Sequence, residues 1–365
     1  MFLTIVLGVL VLGILVFAHE LGHFIVAKRN HIVVEEFGFG FPPRLVKLGE
    51  RDGTEYTLNA IPFGGFCRMR GEDDPSLPGS FASASRGARA ATLFAGAGMN
   101  FLLAIVLFTV VSFMMGEPDP THPGTLIEAV APGSPAEQAG LRPGDRIIAA
   151  HGVPIMTPED LQKDTPSHAG QPVTYQMVRT DPKTGASQTL EVTLVPRVNP
   201  PANQGALGIA IGTAMRPMAA WTAVWSGLRQ TGSVVYMTFE VPAMLIRQGK
   251  PLADAGFMGP VGITVVAGEF VRSAASVSAL APILRFMAFL SAALGITQLL
   301  PIPALDGGRL LFILVEIIRR KRVEPAQEGI VHLVGFGLLL ALIGLMTIRE
   351  ISSLVSGTFP SIGIH

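Results

Sequence analysis

Four stretches of this chain are long and apolar enough to cross a lipid bilayer, which leaves it few folds. A spanning helix takes about 20 residues, and Phe2–Ala27, Ala90–Met115, Ile283–Leu300 and Ile330–Ile348 meet or approach that length. In hydrocarbon each backbone N–H and C=O must find a partner within the protein, so helices are the expected form. Only 15% of the residues are charged, against roughly 25% in a soluble domain. The first stretch has no basic n-region, is too long for a leader and lacks a small-residue cleavage site, so it reads as a retained helix.

Basic residues set the expected orientation, because short cytoplasmic loops collect Lys and Arg. Lys28, Arg29, Arg44, Lys47, Arg51, Arg68, Arg70, Arg86 and Arg89 lie between the first two stretches, and Arg309, Arg319, Arg320, Lys321 and Arg322 follow the third. Both loops are expected in the cytoplasm, with segment 116–282 and the two termini on the other side. Lys+Arg and Asp+Glu balance at 27 each, so no nucleic-acid partner is implied. The single cysteine, Cys67, excludes an intrachain disulfide framework and a multi-Cys zinc site, and reads as a small packing residue.

The expected organisation is a polytopic α-helical membrane protein: four transmembrane helices, a membrane-associated β-hairpin and one extramembrane α/β domain. Helix 1 takes 1–27, and the loop 28–89 carries short strands at Glu35–Phe41, Arg44–Lys47, Glu55–Leu58 and Phe66–Met69, with turns at Pro42-Pro43 and Gly64-Gly65. Helix 2 takes 90–115. Segment 116–200 alternates as strands at Thr125–Ala131, Arg146–Ala150, Pro172–Arg179 and Gln188–Val195, with short helices at Pro135–Ala139 and Pro158–Asp164. Segment 201–282 reads as membrane-surface: Trp221–Arg247 is apolar but carries Arg229, Glu240 and Arg247, which disfavours a fifth span, and Gly256–Gly262 interrupts it. Helix 3 takes 283–308, a loop 309–329 and helix 4 330–350.

The chemistry is expected within helix 1. His19-Glu20-Leu21-Gly22-His23 puts two histidines four residues apart on one helical face, where both reach the same ion. A catalytic zinc takes three protein ligands and leaves one position open, while an adjacent Glu that is not a ligand takes a proton from water. Glu20 suits that task. Five residues specify little, but each charge near the bilayer centre costs roughly 2.5–3.5 kcal/mol on insertion scales, so the location adds weight. Asp306, in Pro301-Ile302-Pro303-Ala304-Leu305-Asp306-Gly307-Gly308, is the strongest candidate for the third ligand; an ordinary turn with Asp as a cap is the alternative. Prolines and glycines there prevent a regular helix, and unwound backbone at membrane depth is tolerated only where it is buried or lines a wet cavity. His31, His122, His151, His168, His332 and His365 default to surface or packing roles.

These residues together resemble the site-2 protease family of intramembrane zinc metalloproteases, in its bacterial branch with a PDZ domain. The resemblance covers most of the chain: the two metal-site motifs, Phe37–Leu45, Ile61-Pro62-Phe63-Gly64-Gly65-Phe66, Gly98-Met99-Asn100-Phe101 and Gly259-Pro260-Val261-Gly262-Ile263. The 125–195 module is similar to a PDZ domain through Val130–Ala136 and Ala139–Arg146. The resemblance implies zinc held by His19, His23 and Asp306, Glu20 as base, and single-span membrane substrates such as anti-sigma factors. It implies a bacterial inner membrane, with the PDZ-like domain on the periplasmic or extracytoplasmic side. Gln298 stands where the family usually has Asn, a side chain thought to contact substrate, and Ala97 where it usually has Pro. Strand addition of peptide C-termini is expected along Gly124, Thr125 and Leu126. Two rivals remain: a membrane-tethered PDZ scaffold with a vestigial metal site, and a metal transporter, which would need ligands in several spans.

Overall fold

The computed structural model describes residues 2–72, 74–181, 184–201, 204–250, 258–273 and 280–356. In chain order its elements are α1 Phe2–Arg29, β1 Val34–Arg51, β2 Thr54–Met69, α2 Arg86–Met115, β3 Glu117–Pro118, β4 Thr125–Val130, α3 Pro135–Gln138, β5 Arg146–Ala150 and β6 Val153–Pro154. There follow α4 Pro158–Ser167, β7 Val173–Thr180, β8 Ser187–Leu194, β9 Ile209–Gly212, β10 Met215–Arg216, α5 Ala220–Arg247, α6 Pro260–Ser273, α7 Leu280–Gln298, α8 Asp306–Arg319 and α9 Pro325–Val355. They form two compact units, Met1–Met114 with Ala219–His365, and Met115–Met218.

In the first unit four described helices have the length and apolarity of a membrane span, within α1, α2, α7 and α9. Small residues let them approach. A Cβ on Gly22 would strike the Ala95 backbone of α2, and α7 turns Ala288, Ser291, Ala292 and Gly295 inward, with the Ser291 hydroxyl donating to the Asn100 carbonyl at 2.8 Å. Close backbone approach through small residues is the usual way helices gain contact in lipid, where no hydrophobic drive separates helix from solvent.

The hairpin differs from expectation. In place of four short strands there are two long antiparallel ones, turning at Asp52-Gly53, while the Pro42-Pro43 and Gly64-Gly65 regions sit inside irregular stretches of the ladder. Bulges bend a strand without ending it, so turn-forming residues were misleading here. Phe37 packs on Phe17 and Phe24 of α1, ring centres 5.4 and 4.9 Å apart, and fixes the hairpin to that helix. Cys67 is buried in the same cluster, and burial pushes its thiol well up, keeping it protonated.

Segment 201–282 also departs from expectation. It begins with β9 and β10, which belong to the second unit, and continues as α5 and α6. Helix α5 packs on α2: Gly227 lies against Thr109 and Ile105, and the Ser112 hydroxyl donates to Ser226 at 3.0 Å. Helix α6 runs against α1, where Gly8 meets Thr264. Of the break expected at Gly256–Gly262, residues 256 and 257 lie outside the described residues. The expected loop 309–329 is mostly α8, whose buried Glu316 pairs with Arg89 and Arg86.

The second unit is a six-stranded sheet of order β8-β7-β5-β4-β9, with β6 on β5. Its core holds Ile127, Ile147, Leu161, Tyr175, Met177 and Leu207. Asp145, 1% exposed, accepts from Arg179 Nε and Nη2, both at 2.7 Å. The unit runs past residue 200, because β9 is needed to complete the sheet beside β4.

Candidate metal centre

Both histidines of α1 point at the first residue of α8. His19 Nε2 and His23 Nε2 are 3.1 Å apart, and each lies 3.2 Å from Asp306 Oδ2. All three residues are at least largely buried, the histidines 4% and 6% exposed. A tetrahedral zinc with bonds of about 2.0–2.1 Å sets its ligand atoms about 3.3 Å apart, so this triangle has the size such an ion needs. Asp306 Oδ2 has no hydrogen-bond partner in this arrangement, and an uncompensated buried carboxylate oxygen is costly. A divalent cation satisfies it and both nitrogens at once. The cap alternative for Asp306 is not what is found: the N-cap position of α8 is Leu305 and makes no side-chain cap bond.

The elements around the triangle explain its shape. Gly96 on α2 faces the rings, and a Cβ there would stand 2.6 Å from Cε1 of both His19 and His23; only glycine leaves room for two imidazoles. The chain between α7 and α8 folds back on itself so tightly that Cβ atoms at Gly307 and Gly308 would strike the backbone of Leu300 and Ile302. Ala304 adopts φ 79, and its N–H donates to His332 Nδ1 of α9 at 2.9 Å. Gly335 of α9 lies against Pro303. Helix α9 therefore grips the loop that delivers Asp306.

Ring orientation comes from α2. His23 Nδ1 is 2.8 Å from the Thr92 carbonyl, so that nitrogen carries the proton and Nε2 is left as the donor to a metal, the arrangement that fixes a ligand imidazole. His19 Nδ1 is 3.2 Å from the Asn100 carboxamide. Carboxamide N and O are told apart by their partners alone; with Oδ1 turned toward the ring it accepts the Nδ1 proton, and the buried oxygen otherwise lacking a partner is satisfied. Asn100 is fully buried. Its motif is visible in the sequence, but its partner is not, because 81 residues separate the two.

Glu20 is half-buried between this triangle and the hairpin. The Cys67 backbone N–H donates to its carboxylate, and a Cβ on Gly65 would come within 3.8 Å of its Cγ. Gln298 ends α7, eight residues before Asp306. Gly124, Thr125 and Leu126 are a different matter. Strand β4 lies between β5 and β9, Gly124 N–H donates to the Met156 carbonyl, and Thr125 and Leu126 pair with Ile147 and Arg146. That backbone is already paired, so the expected edge is corrected: the edge strand on this side is β9. A groove between α4 and β9 is lined by Leu161, Thr165, Leu207, Ile209 and Ile211. Its floor loop, Gly205–Gly208, gives no local signal beyond small residues, which read as linker.

A model of peptidase family M50 matches residues 7–342. A Clostridium perfringens protein provisionally named a zinc metalloprotease is 34% identical over 351 residues, covering 95% of this chain and 98% of that one. The zinc metalloprotease RasP of Geobacillus kaustophilus is 29% identical over 432 residues, 95% of this chain and 97% of its own. RasP of Oceanobacillus iheyensis is 30% identical, with 96% and 99% covered.

Proposed function

This chain belongs to peptidase family M50, and we propose that within the family His19, His23 and Asp306 hold its zinc and Glu20 moves the proton of the attacking water. The protein is a zinc metalloendopeptidase, a polytopic bacterial membrane protein. The observation that carries the residue assignment is the triangle of ligand atoms 3.1–3.2 Å apart, supplied by two segments far apart in sequence.

Bound zinc would polarise the scissile carbonyl and lower the pKa of a water beside it. Glu20 takes a proton from that water and passes it to the departing amine, the usual pairing of base then acid on one carboxylate. A substrate helix hides its carbonyls in its own hydrogen bonds, so it must unwind first. The hairpin suits that need: β2 passes beside Glu20, and a two-stranded sheet has free edges on which an extended segment can pair. Apolar Phe41, Leu45, Val46, Leu48 and Ile61 are exposed on it, which favours an association with the membrane. Gln298 is assigned to hold the extended substrate.

Substrates are single-span membrane proteins, anti-sigma factors among them. The second unit is read as a PDZ-like module on the extracytoplasmic side, taking peptide C-termini in the α4–β9 groove by strand addition to β9. The basic residues beside α1, α2 and α8 support that orientation.

The test is cleavage of a tagged single-span protein by purified enzyme, wild type beside Glu20→Gln, with zinc counted in both. Cleavage by the wild type only, with zinc retained by Glu20→Gln, is expected. Equal cleavage by the variant would overturn the role of Glu20. Loss of zinc on Glu20→Gln would make it a ligand instead.

A further inference from the structure

We propose that the second unit carries its own site for a divalent transition ion, Zn2+ foremost, formed by His151, Asp164 and His168. Their ligand atoms lie within 4.8 Å of one another. Asp164 Oδ1 is 3.4 Å from His151 Nε2 and 3.5 Å from His168 Nδ1, and the two rings are 4.4 Å apart and tilted by 43°. The other carboxylate oxygen, Oδ2, is buried with no hydrogen-bond partner. Two imidazoles and a carboxylate are a donor set that suits zinc and its first-row neighbours. Both histidines are about one-third exposed, so an ion can enter from solvent.

A helix C-cap explains only part of this. His168 caps α4, with Nδ1 3.1 Å from the Asp164 carbonyl, which accounts for one histidine in the zinc-free state; to take an ion the ring gives up that bond or offers Nε2 instead. His151 comes from elsewhere. It sits in the β5–β6 turn at φ 40, a left-handed conformation unusual for a residue with a Cβ, and its N–H is held by the Thr174 carbonyl at 2.7 Å. That turn presents a second imidazole to the same carboxylate. An ion shared by the three residues would tie the β5–β6 turn to the last turn of α4. Leu161 and Thr165 of that helix line the α4–β9 groove, so the ion would stiffen one wall of it.

The site is independent of the catalytic triangle, and the experiment separates them. Full-length, tag-free protein in detergent is titrated with Zn2+ and the bound metal counted. The wild type is expected to hold two ions, His151→Ala/His168→Ala one, and His23→Ala one. Asp164→Asn keeps the side-chain shape and is expected to weaken the second ion at least tenfold. Zn2+ at about a hundred times its dissociation constant should also slow amide exchange of Leu161–His168 about a hundredfold, where exchange requires the site to open. The double variant should show no such slowing between its own zinc-free and zinc-loaded states. One ion in the wild type, or a second ion that the double variant and Asp164→Asn bind equally well, would overturn the proposal.

Discussion

Asn100 holds His19 from the side away from the ligand triangle, and its worth can be measured apart from turnover. Groups that orient a ligand histidine are typically worth 10–100-fold in metal affinity. Asn100→Leu is expected to weaken zinc by about that factor in a chelator competition, while Asn100→Asp, which keeps an acceptor, should stay within a few-fold. Of the proposed ligands, His19 and His23 were legible as a pair because they need only the local geometry of one helix turn. Asp306 was legible through the prolines and glycines that unwind its surroundings. Asn100 and His332 were not, since each acts on a residue far away in sequence and nothing local to either names its partner. His151 and His168 read as surface or packing residues for the same reason: the β5–β6 turn and the end of α4 meet only in the folded unit.

Helix α4 shows how an element can announce its start. Thr157 accepts from the Asp160 N–H while the Asp160 carboxylate accepts from the Thr157 N–H, a capping box. The Thr157 backbone N–H, followed by that of Met156, holds the Asp160 carboxyl below its usual value. A carboxyl depressed in the folded state contributes stability above the unfolded value of about 3.9 and loses it as pH falls through the folded one. Protection of the amides in Thr157–Leu161, taken relative to the intrinsic exchange rate at each pH, is therefore expected to fall as the pH is lowered below about 4, more than at the core strand β7, and Asp160→Asn should remove the difference. Strand positions were likewise readable from alternation, but strand order was not. Strand β4 alternates as an edge strand would, yet β9 covers it, and β9 follows a Pro-rich stretch at Pro196–Pro201 that reads as linker. The hairpin departs from its expected form for a related reason: Pro and Gly mark turns in most chains, and here they mark irregularities that a long two-stranded ladder absorbs.

The two units hold separate cores, and a lesion in one can be read without the other. Removing Arg179 leaves the buried Asp145 carboxylate only the Arg142 N–H as partner among the described residues; breaking a fully buried pair from one side costs about 3–5 kcal/mol, an upper value here because the Arg179 side chain is 24% exposed. Arg179→Ala is expected to make Met115–Met218 open to limited proteolysis while zinc bound by the first unit is unchanged. The four apolar spans were the most legible feature of the described residues, because apolar length is written locally; the second unit's extent and the helices α6 and α8 were not, because each depends on a partner surface. Helix α9, finally, has the least protein around it among the described spans, only 6% of its apolar window being buried, yet His332 and Gly335 on it grip the loop that carries Asp306. A span set mainly by its lipids answers hydrophobic mismatch by tilting. The enzyme should then behave as a gauge of bilayer thickness. In vesicles of graded acyl-chain length, cleavage is expected to peak where α9 matches the hydrocarbon and to fall on either side, with Gly335→Leu, which parts α9 from Pro303, flattening the dependence.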